Sequence, residues 1–569
     1  MPVPGTPLRI NRTISSSVET RLNSARRMLT PGTRSPSGPW QGWQWTLKSS
    51  LPFAISAPLL LRCWPERSGL KTSKTAAARA DETQLCIRTR LYTSFVTPEE
   101  FRKFGHQLID WIADYRTRVA QLPVMARTAP GQIKAQLPAR APEHPEPFEN
   151  ILRDLERIVV PGLSHWQHPS FFGYFPSNAL LASVLGDYAS TGLGVLGISW
   201  QTSPALTEVE EVVTDWVRQM TGLSGAWSGV IQDTASTSTL LALICARERS
   251  TNYGLGRGGL QEEAQPLVVY TSASSNSSVD KDALLAGFGR DNVRVVGHDE
   301  EYAMRPDALE ESIRRDLAAG LRPCAVVATI GSTATTALDP LEPLARIAHH
   351  YGIWLHVDAA MAGSAMILPE CRWMWQGIEG ADSLIINAHK WLGAAFDCSL
   401  YYVRDPQHLV RVMSTNPSYL QSAADQQVKN LRDWGIPLGR RFRALKLWFL
   451  IREQGVAGLQ ARLRRDLANA QWLAGEVRAS EGWRILAPVP LQTLCLRYEP
   501  PGLEGEALDR HTLAWADGVN RSGDAYLTPA MLDGRWMVRV SIGAAPTERE
   551  HVEALWKLVR REAERRPAE

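Results

Sequence analysis

Apolar and polar positions along the chain follow three different patterns. Residues 1–95 have no sustained helical or strand period and are rich in Arg, Ser, Pro and Trp, which indicates a disordered or loosely attached segment. Order begins at Thr97-Pro98-Glu99-Glu100, which combines a helix N-cap, a first-turn proline and a capping box. Apolar residues then recur at helical spacing, at Phe101, Phe104, Leu108, Ile112 and Tyr115. The pattern predicts an amphipathic helix.

Beyond this helix, a proline-rich stretch over 137–147 precedes a second helical stretch near Phe148–Val160. From about residue 200, β-rich apolar runs alternate with helical stretches. The runs are Leu267–Tyr270, Ala325–Ile330, Ile353–Val357, Ser383–Ile386 and Ser399–Val403. This alternation predicts an α/β fold with a largely parallel sheet. Long helical segments follow Arg440, and a last helix is expected to open at Thr547 with Glu550 completing a capping box.

Composition narrows the class of protein. With 44% apolar and 21% charged residues among 569, the chain is not collagen-like, a disulfide scaffold or wholly disordered. The net charge of +3 divides into +10 over residues 1–90 and −7 over the remainder, and a mildly acidic body argues against a nucleic-acid partner. The seven cysteines are scattered without a C-x-x-C pair, which indicates free thiols, a reducing compartment and no metal site.

The basic leader over 1–95 has two explanations. An Arg- and Ser-rich, acid-poor leader is typical of a transit peptide. It is equally what upstream DNA yields when translated from a wrongly chosen start, and a GTG codon at Val96 would initiate the chain where folded sequence begins, which favours this second explanation. Its longest apolar run, Leu51–Leu61, is shorter than the roughly 20 residues that span a bilayer. We therefore expect a soluble, cytoplasmic protein that does not associate with membranes.

Two motifs each follow an apolar strand and carry a possible reaction centre. The first is His356-Val-Asp358-Ala-Ala360, and the second is Asn387-Ala-His389-Lys390-Trp391. Because ligands of open α/β sheets bind at the carboxyl ends of strands, Asp358 and Lys390 are expected to face one crevice. A plain salt bridge would explain the pair. Pyridoxal phosphate would also explain it, since this cofactor needs a lysine amine and an acidic partner for its ring nitrogen.

A predicted phosphate site favours pyridoxal phosphate over a plain salt bridge. The run Thr234-Ala-Ser-Thr-Ser-Thr239 directly precedes a predicted helix, Leu240–Arg249, whose first backbone N–H groups favour an anion. Taken alone, such a run is more often an ordinary helix N-cap.

Four motifs together carry a resemblance to a known family. They are Gly229-Val-Ile-Gln-Asp-Thr-Ala-Ser236, His356-Val-Asp-Ala-Ala360, Asn387-Ala-His-Lys-Trp-Leu392 and Trp434-Gly-Ile-Pro-Leu-Gly-Arg-Arg-Phe-Arg443. From about Thr97 to the C-terminus the sequence resembles the group II pyridoxal-phosphate decarboxylases, most closely the aromatic-L-amino-acid decarboxylases, including bacterial dopa decarboxylases. The resemblance implies fold type I, with a helical segment over 96–180, a large cofactor domain over 181–445 and a small α+β domain over 446–569. It also implies a homodimer with shared active sites.

The resemblance further implies roles for individual residues. Lys390 binds the cofactor covalently, Asp358 partners its ring nitrogen, Ala360 lies against the ring and Thr333 lies beneath it. Its phosphate contacts Ala235, Ser236, Asn387 and His389. An aromatic substrate is enclosed by Trp166, Tyr174, Phe175 and Pro176, together with Leu196 and Ile198 from the second subunit. Tyr419, on a mobile loop, returns a proton to the substrate after carbon dioxide leaves.

One position departs from the family pattern. Where the family has a histidine that stacks on the cofactor, this chain has Asn276, which lacks an aromatic face and a proton to relay near neutral pH. Some insect relatives with asparagine here are aldehyde synthases, whereas phenylalanine in place of Tyr419 accompanies aldehyde formation in plant relatives. Decarboxylation of an aromatic amino acid is thus the first hypothesis and aromatic aldehyde synthesis the second. A non-catalytic protein of this fold is a third, against which Lys390, Asp358 and Tyr419 all argue.

Overall fold

Seven strands form the sheet that positions the predicted reaction centre. The computed structural model describes residues 96–415, 425 and 427–565, which lie in one unit, Ile87–Glu569. The strands are β1 (Ser228–Gln232), β2 (Leu267–Ser272), β3 (Val293–Val296), β4 (Arg322–Thr329), β5 (Trp354–Asp358), β6 (Ser383–Asn387) and β7 (Ser399–Val403). Their order is β1-β7-β6-β5-β4-β2-β3, and β7 runs antiparallel to both of its neighbours. The prediction of a largely parallel α/β sheet is confirmed.

Helices flank this sheet and continue beyond it on both sides in sequence. They are α1 (Pro98–Arg118), α2 (Phe148–Asp154), α3 (Leu181–Leu193), α4 (Pro204–Thr221), α5 (Ala235–Ser250), α6 (Ser278–Leu285), α7 (Pro306–Ala318), α8 (Leu341–Tyr351), α9 (Pro406–Met413), α10 (Ala444–Ala479), α11 (Gly505–Ser522) and α12 (Arg549–Glu564). The predicted capping box of α1 is confirmed. The Glu100 N–H donates to Thr97 Oγ1 at 3.2 Å, and the Thr97 N–H donates to Glu100 Oε2 at 3.0 Å.

A second, antiparallel sheet lies nearer the C-terminus. Its strands are β8 (Trp483–Ile485), β9 (Thr493–Tyr498), β10 (Thr528–Leu532) and β11 (Arg535–Ser541), in the order β10-β11-β9-β8. The long helix α10 belongs to two hydrophobic cores, because residues through Leu463 pack with the first sheet and residues from Ala470 pack with the second. The sequence-based division at residue 445 stays a prediction, and the change of core occurs later, between Leu463 and Ala470.

Two helix starts differ from the sequence prediction. Helix α5 begins at Ala235 rather than Leu240, so the Ser/Thr run forms its first turns instead of preceding it. Ser and Thr are tolerated there because their hydroxyls bond to the backbone, as Ser238 Oγ does to the carbonyl of Thr234 at 3.2 Å. The capping box of α12 uses Glu548 and His551 rather than Thr547 and Glu550. Thr547 is buried, and its hydroxyl donates to the carbonyl of Pro169 at 2.6 Å instead.

The described part of the chain also bears on the thiols and on membrane crossing. Cys245, Cys324, Cys371, Cys398 and Cys495 are buried free thiols. Within residues 96–415, 425 and 427–565, we find no helix whose length and apolar character would let it cross a membrane. The predictions for residues 1–95 and for Tyr419 fall outside the described residues.

Candidate active site

A cavity of about 240 Å³ lies at the carboxyl ends of β1, β2, β4, β5 and β6. Its lining residues come from these strand ends and from the turns that follow them. They are Phe175, Thr234, Ala235, Ser236, Asn276, Ser278, Thr329, Gly331, Thr333, Asp358, Ala360, Met361, Asn387, His389 and Lys390. Strand ends of one direction meet at one sheet edge, which is why residues so distant in sequence meet here.

Lys390 lies in a tight turn immediately after β6. Its backbone, with φ −91° and ψ −109°, departs from helical values, and its carbonyl accepts a hydrogen bond from Asn178 Nδ2 at 3.0 Å. The ammonium lies 5.7 Å from the centre of the Phe175 ring. Burial lowers the pKa of Lys390, while the nearby Asp358 carboxylate raises it. A lysine with a lowered pKa is more often in the neutral form that acts as a nucleophile.

Asp358 provides the negative charge of the cavity. Only 6% of the residue is exposed, and Oδ1 accepts the backbone N–H of Ala360 at 2.9 Å. Burial raises the pKa of Asp358, whereas Lys390 and the Ala360 N–H lower it. Each of the two charges therefore favours the ionised form of the other in a site that otherwise disfavours both. Asp358 and Lys390 therefore interact electrostatically inside a buried cavity and not at the protein surface.

An anion site adjoins the pair. Thr234 is the N-cap of α5, yet its side chain makes no capping hydrogen bond, so the first N–H groups of this helix are free for an anion beside Ala235 and Ser236. Asn387 Oδ1 is buried without a hydrogen-bond partner. His389 Nδ1 accepts the N–H of Cys398 at 2.9 Å, and burial lowers the pKa of His389 to about 4, so the ring is neutral.

The donor set fits pyridoxal phosphate. An amine, a carboxylate and an uncapped helix N-terminus correspond to the aldehyde, ring nitrogen and phosphate of that cofactor. Asn387 Oδ1 is an acceptor without a partner, so the donor that Asn387 can offer to a phosphate oxygen is the Nδ2 of the same amide.

Asn276 lies in the cavity wall where the sequence analysis placed it. Its Nδ2 donates to Thr333 Oγ1 at 3.1 Å, and its Oδ1 accepts the N–H of Ser278 at 3.0 Å. Both polar ends of the amide are thus held. Gly331 allows the segment before Thr333 to lie this close to its neighbours, since it has φ +78° and a Cβ there would be 2.6 Å from that of Ala362.

Most, but not all, of the predicted site residues meet in this cavity. The eight predicted cofactor contacts line it, and so do Asn276 and Phe175. The other predicted pocket residues, Trp166, Tyr174, Pro176, Leu196 and Ile198, do not. The Trp166 and Tyr174 rings stack with centroids 5.6 Å apart and are partly exposed, and Leu196 is 54% exposed. His356 belongs to the core and bonds to Ser383 Oγ at 2.8 Å through Nδ1.

Sequence reasoning missed several residues of the site. Ser278, Thr329, Gly331 and Met361 line the cavity, and each ends or follows a strand or begins a helix, a signal that could have identified them. Asn178 had no such signal. Its side chain is buried and binds the carbonyls of Lys390 and Gly543 and the N–H of Ala545, contacts that join segments more than 200 residues apart.

Comparison with known proteins agrees with a pyridoxal-phosphate site. A family model described as "Pyridoxal-dependent decarboxylase conserved domain" matches residues 130–499. Phenylacetaldehyde synthase of Arabidopsis thaliana is 41% identical over 475 residues, covering 82% of this chain and 96% of that protein. Tryptophan decarboxylase 2 of Oryza sativa subsp. japonica is 40% identical, with coverage of 82% and 95%. A crystal structure of Oryza sativa TDC with PLP and tryptamine matches with a TM-score of 0.80 and 34% identity, over 83% of this chain and 99% of that one.

Proposed function

The chain belongs to the pyridoxal-dependent decarboxylases, and we propose that it converts an L-aromatic amino acid to the aromatic amine and carbon dioxide. It is a carbon–carbon lyase that uses pyridoxal 5'-phosphate. The substrate class is dopa, tyrosine, tryptophan or phenylalanine. The observation that carries the proposal is the meeting of Lys390, Asp358 and the uncapped N-terminus of α5 in one cavity.

Different residues of the cavity would hold different parts of the cofactor. Bound pyridoxal phosphate supplies a sink for the electron pair that remains when the carboxyl group leaves. Lys390 would form the covalent link, and Asp358 would keep a proton on the ring nitrogen. Ser236, Asn387, His389 and the amide of Ala235 would bind the phosphate. Ala360 and Thr333, which line the same cavity, would lie against the ring.

The proposed substrate pocket is supported by the family resemblance and by the geometry of the cavity. Phe175 lies beside Lys390, which supports its place in the aromatic pocket with Trp166, Tyr174 and Pro176. Tyr419 returns a proton to the carbon that has lost carbon dioxide. The motif Asn416-Pro-Ser-Tyr419-Leu supports this role.

We further propose that the active unit is a cytoplasmic homodimer. Helix α1 has no buried residue and exposes Phe101 and Ile109, and α3 exposes Leu181, Leu185 and Tyr188, so apolar area is available for a partner. Leu196 and Ile198 lie outside the cavity of their own chain, which is consistent with a role in the cavity of the partner. The five cysteines within the described residues are buried free thiols, which supports a reducing compartment.

A second candidate function, aromatic aldehyde synthesis, is favoured by Asn276. Its amide bonds to Thr333 and Ser278 but has no ionisable group, so it provides no acid or base beside the cofactor. Slower protonation of the substrate carbon would leave more time for reaction with oxygen, yielding aldehyde, ammonia and hydrogen peroxide. The relatives include both phenylacetaldehyde synthase and tryptophan decarboxylase.

One product assay distinguishes the two functions. The purified protein is supplied with L-dopa, tyrosine, phenylalanine or tryptophan, and amine, aldehyde, ammonia and hydrogen peroxide are measured with and without oxygen. Amine that accumulates at the same rate in both conditions supports decarboxylation. Aldehyde and peroxide that match carbon dioxide and vanish without oxygen support the second function. Asn276→His must then raise the share of amine, and an unchanged product ratio would refute the explanation from Asn276.

A further inference from the structure

A second carboxyl group is buried behind the cofactor site. Asp282 lies on α6, one helical turn after Ser278, so both side chains are on the same face of the helix, and Ser278 lines the cavity. Only 2% of Asp282 is exposed. The loop before α6 also contacts the strand next to Asp358, because Ser275 Oγ lies 3.3 Å from Thr329 Oγ1, and Thr329 pairs with Asp358 across the sheet.

This carboxyl group lacks the partners that usually accompany a buried charge. Asp282 Oδ2 is buried without a hydrogen-bond partner, and within the described residues no ion pair forms at Asp282. Two charged groups act on it electrostatically, Lys281 on α6 and Asp358 at the end of β5. Helix α5, which packs against α6, carries Arg247 and Glu248. Arg247 is engaged elsewhere, with Glu248 and the carbonyl of Ala286.

Burial raises the pKa of Asp282 to about 7, Lys281 lowers it and Asp358 raises it further. The two carboxyl groups therefore compete for ionisation, as like charges in a shared low-dielectric site do. At a pH near 7, Asp282 begins to ionise and adds a second negative charge to that of Asp358.

We propose that Asp282 is a positioning residue of the cofactor site, acting through Asp358: neutral Asp282 leaves Asp358 as the single ionised carboxylate, and ionised Asp282 adds a second negative charge. This inference rests on the proposed use of the cavity for pyridoxal phosphate. An added negative charge stabilises the protonated form of nearby nitrogen bases. The proton affinity of the bound cofactor and of Lys390 therefore increases as Asp282 ionises.

The visible absorbance of the bound cofactor tests the proposal without any turnover. Spectra of the reconstituted wild type, Asp282→Asn and Asp280→Asn are recorded from pH 5.5 to 9. Asp280 is the matched control, because it is on the same helix and carries the same charge but is exposed. Below pH 6 the three curves coincide. Above pH 7 the wild type and Asp280→Asn retain more of the protonated form than Asp282→Asn, displaced on the order of one pH unit. Coincidence of all three curves across the range overturns the proposal.

Unfolding of the cofactor-free protein separates failure of this proposal from failure of the proposed function. The pKa of Asp282 is higher in the folded state than the roughly 4 of an unfolded chain, so its contribution to stability is full below pH 4 and is lost as pH rises to about 7. Asp282→Asn should therefore gain in melting temperature over the wild type between pH 5 and 7.5. If this gap appears without a spectral difference, Asp282 titrates but does not act on the cofactor, and the proposal is wrong. A wild type that binds no cofactor refutes the proposed function itself, and the proposal with it.

Discussion

The hydrogen bonds of Asn178 offer the sharpest test of how the reactive lysine is held. Asn178 is 1% exposed, and its Nδ2 donates to the carbonyls of Lys390 at 3.0 Å and Gly543 at 2.8 Å. Its Oδ1 accepts the N–H of Ala545 at 2.7 Å. Asn178→Ala removes the partner of three backbone groups, the buried carbonyl of Gly543 and the part-buried carbonyl of Lys390 and N–H of Ala545. At roughly 1–3 kcal/mol for each unsatisfied group, the three together could cost about 3–9 kcal/mol. Because two of the groups are only part-buried, we expect a loss in the free energy of unfolding in the lower part of that range, about 3–6 kcal/mol.

The measurement is urea unfolding of the cofactor-free protein at fixed concentration, together with a titration of pyridoxal phosphate by visible absorbance. We expect the dissociation constant for the cofactor to rise at least about tenfold, which corresponds to about 1.4 kcal/mol of the loss acting at Lys390. Asn520→Ala is the matched control, because this asparagine also binds buried backbone, at the N–H and carbonyl of Leu527, but lies in the second sheet's domain. If the two variants weaken cofactor binding equally, or if Asn178→Ala costs under 1 kcal/mol, the reasoning is refuted.

Three further predictions concern Lys390, Tyr419 and Glu210. Lys390→Ala should abolish both the visible absorbance of added cofactor and turnover, and amine production by this variant would contradict the assigned role. Tyr419→Phe should raise the ratio of aldehyde to amine in oxygenated buffer, and an unchanged ratio would exclude the tyrosine as the proton donor. Glu210→Gln should cost about 3–5 kcal/mol in urea unfolding, because Arg440 Nη2 binds Glu210 Oε1 at 2.7 Å and both side chains are almost fully buried. A loss below 1 kcal/mol would show that Arg440 finds another partner.

Local signals account for the parts of the fold that the sequence predicted well. The capping box at Thr97 needs only four residues, and the buried strands ending at Asp358 and Asn387 are short apolar runs. Because parallel strands end at one edge, the sequence also brought Asp358 and Lys390 together correctly. Helix α5 was the exception. Its first turns are Ser and Thr residues that usually favour caps, and their hydroxyl contacts with the backbone cannot be read from composition.

Residues that act through distant contacts were not predictable. Asn178 connects the turn of Lys390 to segments near residue 545, and no local period marks an asparagine for that task. Asp282 sits in a helix with acidic and basic neighbours, where a charged residue ordinarily faces solvent. Its burial depends on how α6 packs against α5, which is a property of the assembled fold. Trp166 and Leu196 illustrate the opposite case, since the resemblance gave them a pocket role but the cavity of their own chain does not include them.

The distribution of charge in the cavity determines how it can hold an anionic cofactor. Among the described lining residues, Lys390 is the single cationic side chain, and His389 is neutral because burial lowers its pKa to about 4. In the proposed binding mode, a phosphate would therefore be bound mainly by backbone N–H groups at the start of α5 and by neutral donors rather than by ion pairs. Salt screens dipolar contacts in a buried site only weakly. Because Lys390 is not needed to bind the phosphate, it remains available for Asp358 and for the covalent link. Separating the anion site from the lysine in this way lets the amine keep the lowered pKa that its chemistry requires.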